Sequence, residues 1–340
     1  MNAPGRPEDE YGRAQPEGSP VSAGGADEAA PKRRRDRASA LERAAAHAIV
    51  ALLWLAHLLP MAWVDAIGRA LGALLYRVGG SRRRVARRNL ELCLPELGRD
   101  AREALLREHF GWLGRSLVER GLLWNASPAR LRRLIRVGGD VGLAERSDRP
   151  VMWLVPHFMA LDVAGVATQL FQKRLVGSIY QSQSNPVFDA AMRRGRLRFG
   201  QGQVFSRHRD GALPLVRAIK RQGYAFFNLP DMDFGAEEAV FAPFFGVPAA
   251  TLLAPARMAR TLGMVVQPVV AEMLPGGQGW RVRFLPAWDG WPSGDDAADA
   301  AAMNAWIETE IRRLPAQYLW VHRRFKTRPP GEPPVYGARR

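Results

Sequence analysis

The chain has 340 residues, 47% hydrophobic and 24% charged, enough to bury one large α/β core or two smaller ones. Its 49 Lys and Arg against 33 Asp and Glu leave a net charge of +16, which calls for a polyanionic partner: nucleic acid, anionic lipid, a phosphorylated substrate or an acidic carrier protein. Cys93 is the only cysteine, so an intramolecular disulfide is excluded, and no CxxC pair or His-rich cluster suggests a structural metal.

Residues 1–37 hold four prolines before Val21 and end in Lys32-Arg33-Arg34-Arg35-Asp36-Arg37, a composition that predicts disorder. The first thirty residues have no hydrophobic core of a secretory signal. From Ala44 to Val64 there is no formally charged residue; as helix this stretch is about 31 Å long, enough for a hydrocarbon core. His47, His57 and Pro60 interrupt it, and basic residues flank both ends, so charge gives no orientation. Trp63 to Val78 mixes Asp65, Arg69 and Arg77 with apolar residues and reads as amphipathic. Residues 38–80 are therefore expected to form a helical pair seated in or on one leaflet, with the rest of the protein on the cytoplasmic side. The competing expectation is a buried helical hairpin of a soluble protein.

Residues 82–136 read as helical throughout, broken near Pro95-Glu96-Leu97-Gly98 and near Asn125-Ala126-Ser127-Pro128, the latter a good helix start. An α/β pattern follows. Apolar runs at Val151–Val155, Leu175–Tyr180, Tyr224–Leu229, Met264–Val270 and Trp280–Leu285 predict strands. Helical stretches at Leu161–Phe171, Pro186–Arg198, Gly211–Arg221 and Ala250–Leu262 separate several of them, and residues 299–314 form one more. Strands alternating with helices predict an α/β domain over residues 81–330 with a mostly parallel central sheet flanked by helices. The tail from 331 to 340 is expected to be mobile.

In such sheets reactive groups gather beyond the carboxyl ends of strands. His157 lies just past the first apolar run, and Asp162 follows five residues later at the start of a helical pattern. Imidazole titrates near neutral pH, and a carboxylate on its second nitrogen holds the tautomer and stabilises the imidazolium; Asp162 is the expected partner, turning back from the first turn of its helix. No Gly-x-Ser-x-Gly elbow accompanies the pair, so a covalent acyl-enzyme is not suggested. Arg194, Arg196 and Arg198 end a helical stretch, and guanidinium groups hold phosphate or carboxylate bidentately. A basic helix end satisfying the dipole explains them equally well. Asp231 and Asp233 after the third run can hold a cation, orient basic groups or solvate a turn; without further ligands, orientation of basic groups is favoured over a metal. His322 with Arg323, Arg324 and Lys326 forms another basic patch, phosphate-binding or merely surface.

In this order the segments resemble the late acyltransferases of lipid A biosynthesis, relatives of the glycerolipid acyltransferases, from about residue 45 to 332. The resemblance is carried by His157-x4-Asp162, Ser184-Asn185-Pro186 leading to Arg194-Gly195-Arg196-Leu197-Arg198, Pro230-Asp231-x-Asp233-x-Gly235, Pro243-Phe244-Phe245-Gly246, and the closing string from Gln317 to Pro329. It implies an inner-membrane enzyme facing the cytoplasm that moves a fatty acyl chain from acyl carrier protein to a hydroxyl of a 3-hydroxyacyl chain on a phosphorylated, Kdo-bearing lipid A precursor. By motif match His157 is the base and Asp162 its orienting carboxylate; Arg194 is the first candidate for an acceptor phosphate, with Arg196 and Arg198 behind it. No cofactor or metal is expected. The extension before residue 38 exceeds the family pattern and receives no function. Acylation of another lipid, such as a lysophospholipid or glycolipid, stays open, as does a non-catalytic anion-binding membrane protein. Nucleic acid is disfavoured because no recognised module appears and aromatics are not interleaved with the basic clusters.

Overall fold

The structure, a computed structural model, describes residues 39–206 and 213–337. The expectation of disorder over residues 1–37, and the first two residues of the helix expected from Gly211, lie outside that range. Helices α1 (Ala40–Ala56), α2 (Met61–Val78), α3 (Gly80–Cys93), α4 (Arg99–Asn125) and α5 (Pro128–Leu134) precede the sheet. Then come β1 (Ile135–Gly139), α6 (Leu143–Arg146), β2 (Val151–Leu154), α7 (Leu161–Leu170), β3 (Val176–Tyr180), α8 (Pro186–Leu197), β4 (Gly202–Ser206), α9 (Leu213–Gln222) and β5 (Ala225–Asn228). The last third holds the hairpin β6 (Ala239–Phe244) and β7 (Val247–Leu252), α10 (Ala254–Thr261), β8 (Val265–Met273), β9 (Trp280–Phe284) and α11 (Asp296–Arg313).

Seven strands form one sheet in the order β1-β9-β8-β2-β5-β3-β4. Neighbours are parallel except β8 and β9, joined through a short turn after Met273. β2 occupies the middle, and all four of its residues are buried. Val151 and Trp153 face one apolar core while Met152 and Leu154 face the other, which is why its sequence is continuously apolar rather than alternating. The mostly parallel sheet flanked by helices is thus the architecture the strand–helix alternation predicted.

Four strands depart from expectation, among them β6, since no strand was read at Ala239–Phe244. Ile135 and Arg136, read as helix, begin β1, an edge strand paired with β9. β4 was not anticipated, because Gly202-Gln203-Val204-Phe205-Ser206 carries a weak apolar signal and forms against β3. Ala250–Leu252, read as the start of a helix, belongs to β7, and α10 begins only at Ala254.

Before the sheet, Ser39 and Glu42 make a reciprocal capping box that starts α1. Pro60 ends that run and α2 begins at Met61. α2 packs tightly on α4: a Cβ on Gly114 would meet the carbonyl oxygen of Gly68 at 2.2 Å. The crossing is locked by Arg115, wholly buried on α4. It donates to Asp65 of α2 (2.8 Å), to the carbonyls of Leu274 (2.6 Å) and Gly279 (3.1 Å) at the β8–β9 turn, and to Glu119, which also accepts from Trp280 (2.9 Å). Burial pushes Glu119 up to about 7, against the pull of Arg115 and Trp280. Residues 40–78 therefore belong to the same compact unit as the sheet. Within the tail expected to move, Tyr336 is buried; its hydroxyl donates to Asn89 Oδ1 and accepts from the Phe325 N–H at 3.2 Å.

Candidate active site

β2 and β5 are adjacent and parallel, with Leu154 opposite Asn228. His157 and Asp231 each lie three residues beyond those partners, so the two chains leave the sheet side by side and deliver an imidazole against a carboxylate. His157 Nδ1 sits 2.6 Å from Asp231 Oδ1, and the His157 main-chain N–H donates to Oδ2 at 2.9 Å. The Asp231 side chain is completely buried, whereas His157 keeps 14% of its side chain exposed. Burial alone would raise the Asp231 carboxyl; His157, through charge and both hydrogen bonds, and Arg324 hold it below the usual carboxylate range. An ionised Asp231 accepts, so Nδ1 carries the proton and Nε2 is left with its lone pair.

Asp162 is not the histidine's partner. It stands in the first turn of α7, as expected, yet its oxygens face the other way, accepting from Arg196 of α8 at 2.6 and 3.0 Å and from Arg120 of α4 at 3.5 Å. Burial raises this carboxyl as well, and the two guanidinium groups more than reverse that. The pair ties α7 to α8 and α4, and α8 can lie close because Gly195 faces Trp124: a Cβ there would come within 2.2 Å of the indole.

The arginines expected to meet substrate divide by position. Arg194 is exposed on α8 beside Arg193, with no hydrogen-bond or ion-pair partner among the described residues. Arg196 is committed to Asp162. Arg198 turns inward and donates to the carbonyls of Leu123 (3.0 Å) and Ala126 at the carboxyl end of α4, so it closes that helix and is not available as a substrate contact. Asp231 and Asp233, also expected at the substrate, are both buried within the protein. Asp233 accepts from the Thr327 N–H and hydroxyl, each at 2.8 Å, and from Gly235 N–H at 3.0 Å, with Lys326 Nζ 3.9 Å away. Asp231 contacts His157, a basic group, through both its carboxylate oxygens. Among the described residues no group of three or more His, Cys, Asp and Glu gathers as a metal site.

The closing string crosses the loop that bears His157. Met159 N–H donates to Gln317 O (2.8 Å), Leu319 N–H donates to His157 O (3.0 Å), and Phe158 bridges Tyr318. The basic patch read at residues 322–326 is partly internal. Arg324 is buried and donates to Ala250 O (2.7 Å) and Thr251 Oγ1 (3.2 Å), while His322 accepts from the main-chain N–H of Asp233 (3.1 Å). The sequence signal for Asp231 was present, since it follows an apolar run as His157 does. What was missing was that the two runs are neighbours.

An apolar cleft opens between α7, α8 and the β3–β5 side of the sheet, lined by Leu161, Val166, Ile179, Leu197, Phe227 and Leu229, with Asp162 and Arg196 at its polar part. Through Leu229 and Leu161 it comes within two residues of Asp231 and four of His157 along the chain. The cleft is apolar over most of its lining and adjoins, along the chain, the segments that carry His157 and Asp231.

The profile of the family described as bacterial lipid A biosynthesis acyltransferase matches residues 32–327. The lipid A biosynthesis palmitoleoyltransferase of Escherichia coli K12 is 35% identical over 288 residues, 84% of this chain and 92% of that protein. The lauroyltransferase of the same organism is 32% identical over 84% of this chain and 93% of its own length. Its myristoyltransferase is also 32% identical, over 81% and 84% respectively. Three relatives named for three acyl chains lie at nearly equal distance, so similarity does not select a chain length. A profile spanning most of the sequence and relatives matched over most of both lengths establish that this chain belongs to the bacterial lipid A biosynthesis acyltransferase family.

Proposed function

We propose that the protein transfers a fatty acyl chain from acyl carrier protein to a hydroxyl of a 3-hydroxyacyl chain on a phosphorylated, Kdo-bearing lipid A precursor, at the cytoplasmic face of the inner membrane. The chain is an O-acyltransferase by family. The observation that carries the finer reading is His157 held at Nδ1 by buried, ionised Asp231, with no partner for Nε2 among the described residues. In this reading Nε2 takes the proton of the acceptor hydroxyl as its oxygen attacks the thioester carbonyl. Asp231 stabilises the imidazolium that forms. Collapse of the tetrahedral intermediate breaks the C–S bond, and the departing thiolate recovers the proton from His157. The acyl chain lies in the apolar cleft, and exposed Arg194 meets a phosphate of the acceptor.

Seating on the membrane is supported by α1 and α2. Ile49, Leu52, Trp54, Leu55, Leu58, Trp63, Ile67 and Leu74 are large apolar side chains turned outward there, Leu52 65% exposed and Trp63 64%. No helix among the described residues is long and apolar enough to cross a membrane, and seating of the pair in one leaflet accords with that. The basic α3 follows immediately, where anionic headgroups lie.

Mass spectrometry of lipid A from cells with and without the protein tests the function directly. A mass increment of one acyl chain is expected, and it should vanish with His157→Ala. An unchanged lipid A profile, or an increment on a different lipid class, would reject this acceptor.

A further inference from the structure

A second imidazole is tied to the segment that holds the first. Asp231 and Asp233 are alternate residues of one short segment: the carboxylate of Asp231 holds His157, and the main-chain N–H of Asp233 donates to His322 Nε2 at 3.1 Å. An N–H cannot accept a hydrogen bond, so Nε2 is the bare nitrogen and the ring is neutral with its proton on Nδ1. Burial pushes His322 down to about 4; Asp231 opposes the fall, while the charges of His157 and Arg324 add to it.

That Nδ1–H has no acceptor among the described residues, and it is not among the sealed polar atoms, unlike Nε2 of His109. The ring is also held in place. His322 N–H donates to Leu319 O (3.1 Å), Asn89 Nδ2 donates to His322 O (2.7 Å), and Leu319 in turn donates to His157 O. A fixed, accessible donor with no acceptor among the described residues, in the same hydrogen-bonded cluster as His157, suits an oxygen brought by substrate.

We propose that His322 is a catalytic hydrogen-bond donor whose Nδ1–H binds the acyl carbonyl oxygen and stabilises the oxyanion formed when the hydroxyl attacks. The inference rests on acyl transfer with His157 as base. In that step the hydroxyl oxygen forms the new C–O bond, its proton passes to His157 Nε2, and the carbonyl π pair moves onto oxygen, where His322 donates. When the pair returns, the C–S bond breaks and the thiolate takes the proton from His157; the proton on His322 never leaves. A neutral imidazole suits this task because it is too weak an acid to surrender its proton.

Two substitutions separate this role from a merely structural one. His322→Gln places its amide near the position of Nε2, so it can still accept from Asp233 N–H but loses the donor at Nδ1. His322→Asn places its amide near Nδ1, so it keeps the donor and loses the contact to Asp233. Turnover of the full-length protein is measured with lauroyl, myristoyl and palmitoleoyl thioesters of acyl carrier protein and the Kdo-bearing precursor, alongside His157→Ala and thermal unfolding. The Gln variant should fold and lose about 100- to 1,000-fold in kcat, the loss typical of a removed oxyanion donor, with the thioester KM little changed. The Asn variant should stay within about tenfold of the parent, as suits a retained but imperfectly placed donor. Gln as active as the parent, or Asn as impaired as Gln, overturns the proposal. Should the Gln variant fail to fold, the Asn variant decides by retaining or losing turnover. Full activity in His157→Ala would instead reject the base on which the step depends.

Discussion

His157 Nδ1 lies 2.6 Å from the carboxylate of Asp231, a residue 74 positions later in the chain, while Asp162, five positions away, is bound to Arg196 and Arg120. The two acids should therefore fail differently when neutralised. Asp231→Asn removes the charge that stabilises the imidazolium and is expected to lower kcat by about 100- to 10,000-fold, the range of general base catalysis. Asp162→Asn leaves two arginines without their acid and should cost about 1.5–3 kcal/mol of stability, the range for hydrogen bonds to charged groups. A double-mutant cycle with Arg196→Gln should show strong coupling in urea unfolding, and additive losses would contradict the pairing.

Arg194 and Arg198, four residues apart, should give opposite phenotypes. Arg194→Ala removes an exposed guanidinium that has no partner among the described residues, and is expected to raise KM for the phosphorylated acceptor while leaving the thermal midpoint alone. Arg198→Ala strips the carbonyls of Leu123 and Ala126 of their donor and should lower the midpoint with acceptor KM preserved. Steady-state kinetics and calorimetry on the same two preparations decide the point.

Arg115 is predicted to be a stability determinant. Replacing it with Leu leaves Glu119 without its cation and Asp65 with Arg69 alone at 3.3 Å, and should cost about 3–5 kcal/mol, as for other broken buried pairs. Adding Asp65→Asn and Glu119→Gln to that variant should recover much of the loss, which chemical denaturation would reveal.

His109 predicts acid sensitivity. It is fully buried and donates from Nδ1 to Ala316 O, and burial brings its pKa down to about 4 from 6.5. An unfolded chain takes up this proton near pH 6.5 and the folded one only near 4, so stability falls as pH drops through that window. The shift corresponds to on the order of 3 kcal/mol. Urea unfolding from pH 7 to 4 should show a shallower decline in His109→Gln than in the parent, and parallel curves would exclude His109 as the cause.

The outward apolar face of α1 and α2 predicts surface attachment. Replacing Leu52, Trp54 and Trp63 with Gln should weaken binding to vesicles containing anionic lipid without changing the far-ultraviolet circular dichroism. Unaltered vesicle sedimentation would remove this face from the membrane contact.

What local pattern could decide, it decided well. β2 was legible because a strand buried on both faces is apolar without interruption, β3, β5, β8 and β9 because apolar residues dominate or alternate along them, and the Ser127-Pro128 start of α5 because a hydroxyl cap followed by proline satisfies a helix terminus on local grounds. His157 beyond β2 followed from the same reasoning about strand ends. Strand order was not legible, and with it went the partner of His157. Asp231 becomes that partner because β5 lies next to β2, an adjacency set by packing of whole layers and not by any feature within either strand. Sequence proximity favoured Asp162, yet a helix directs its first-turn side chains according to its axis, and α7 points this one at α8 and α4. The same limit divided the arginines: Arg194, Arg196 and Arg198 are one basic cluster in the chain, and only the folded protein assigns one to solvent, one to an acid and one to the end of a helix.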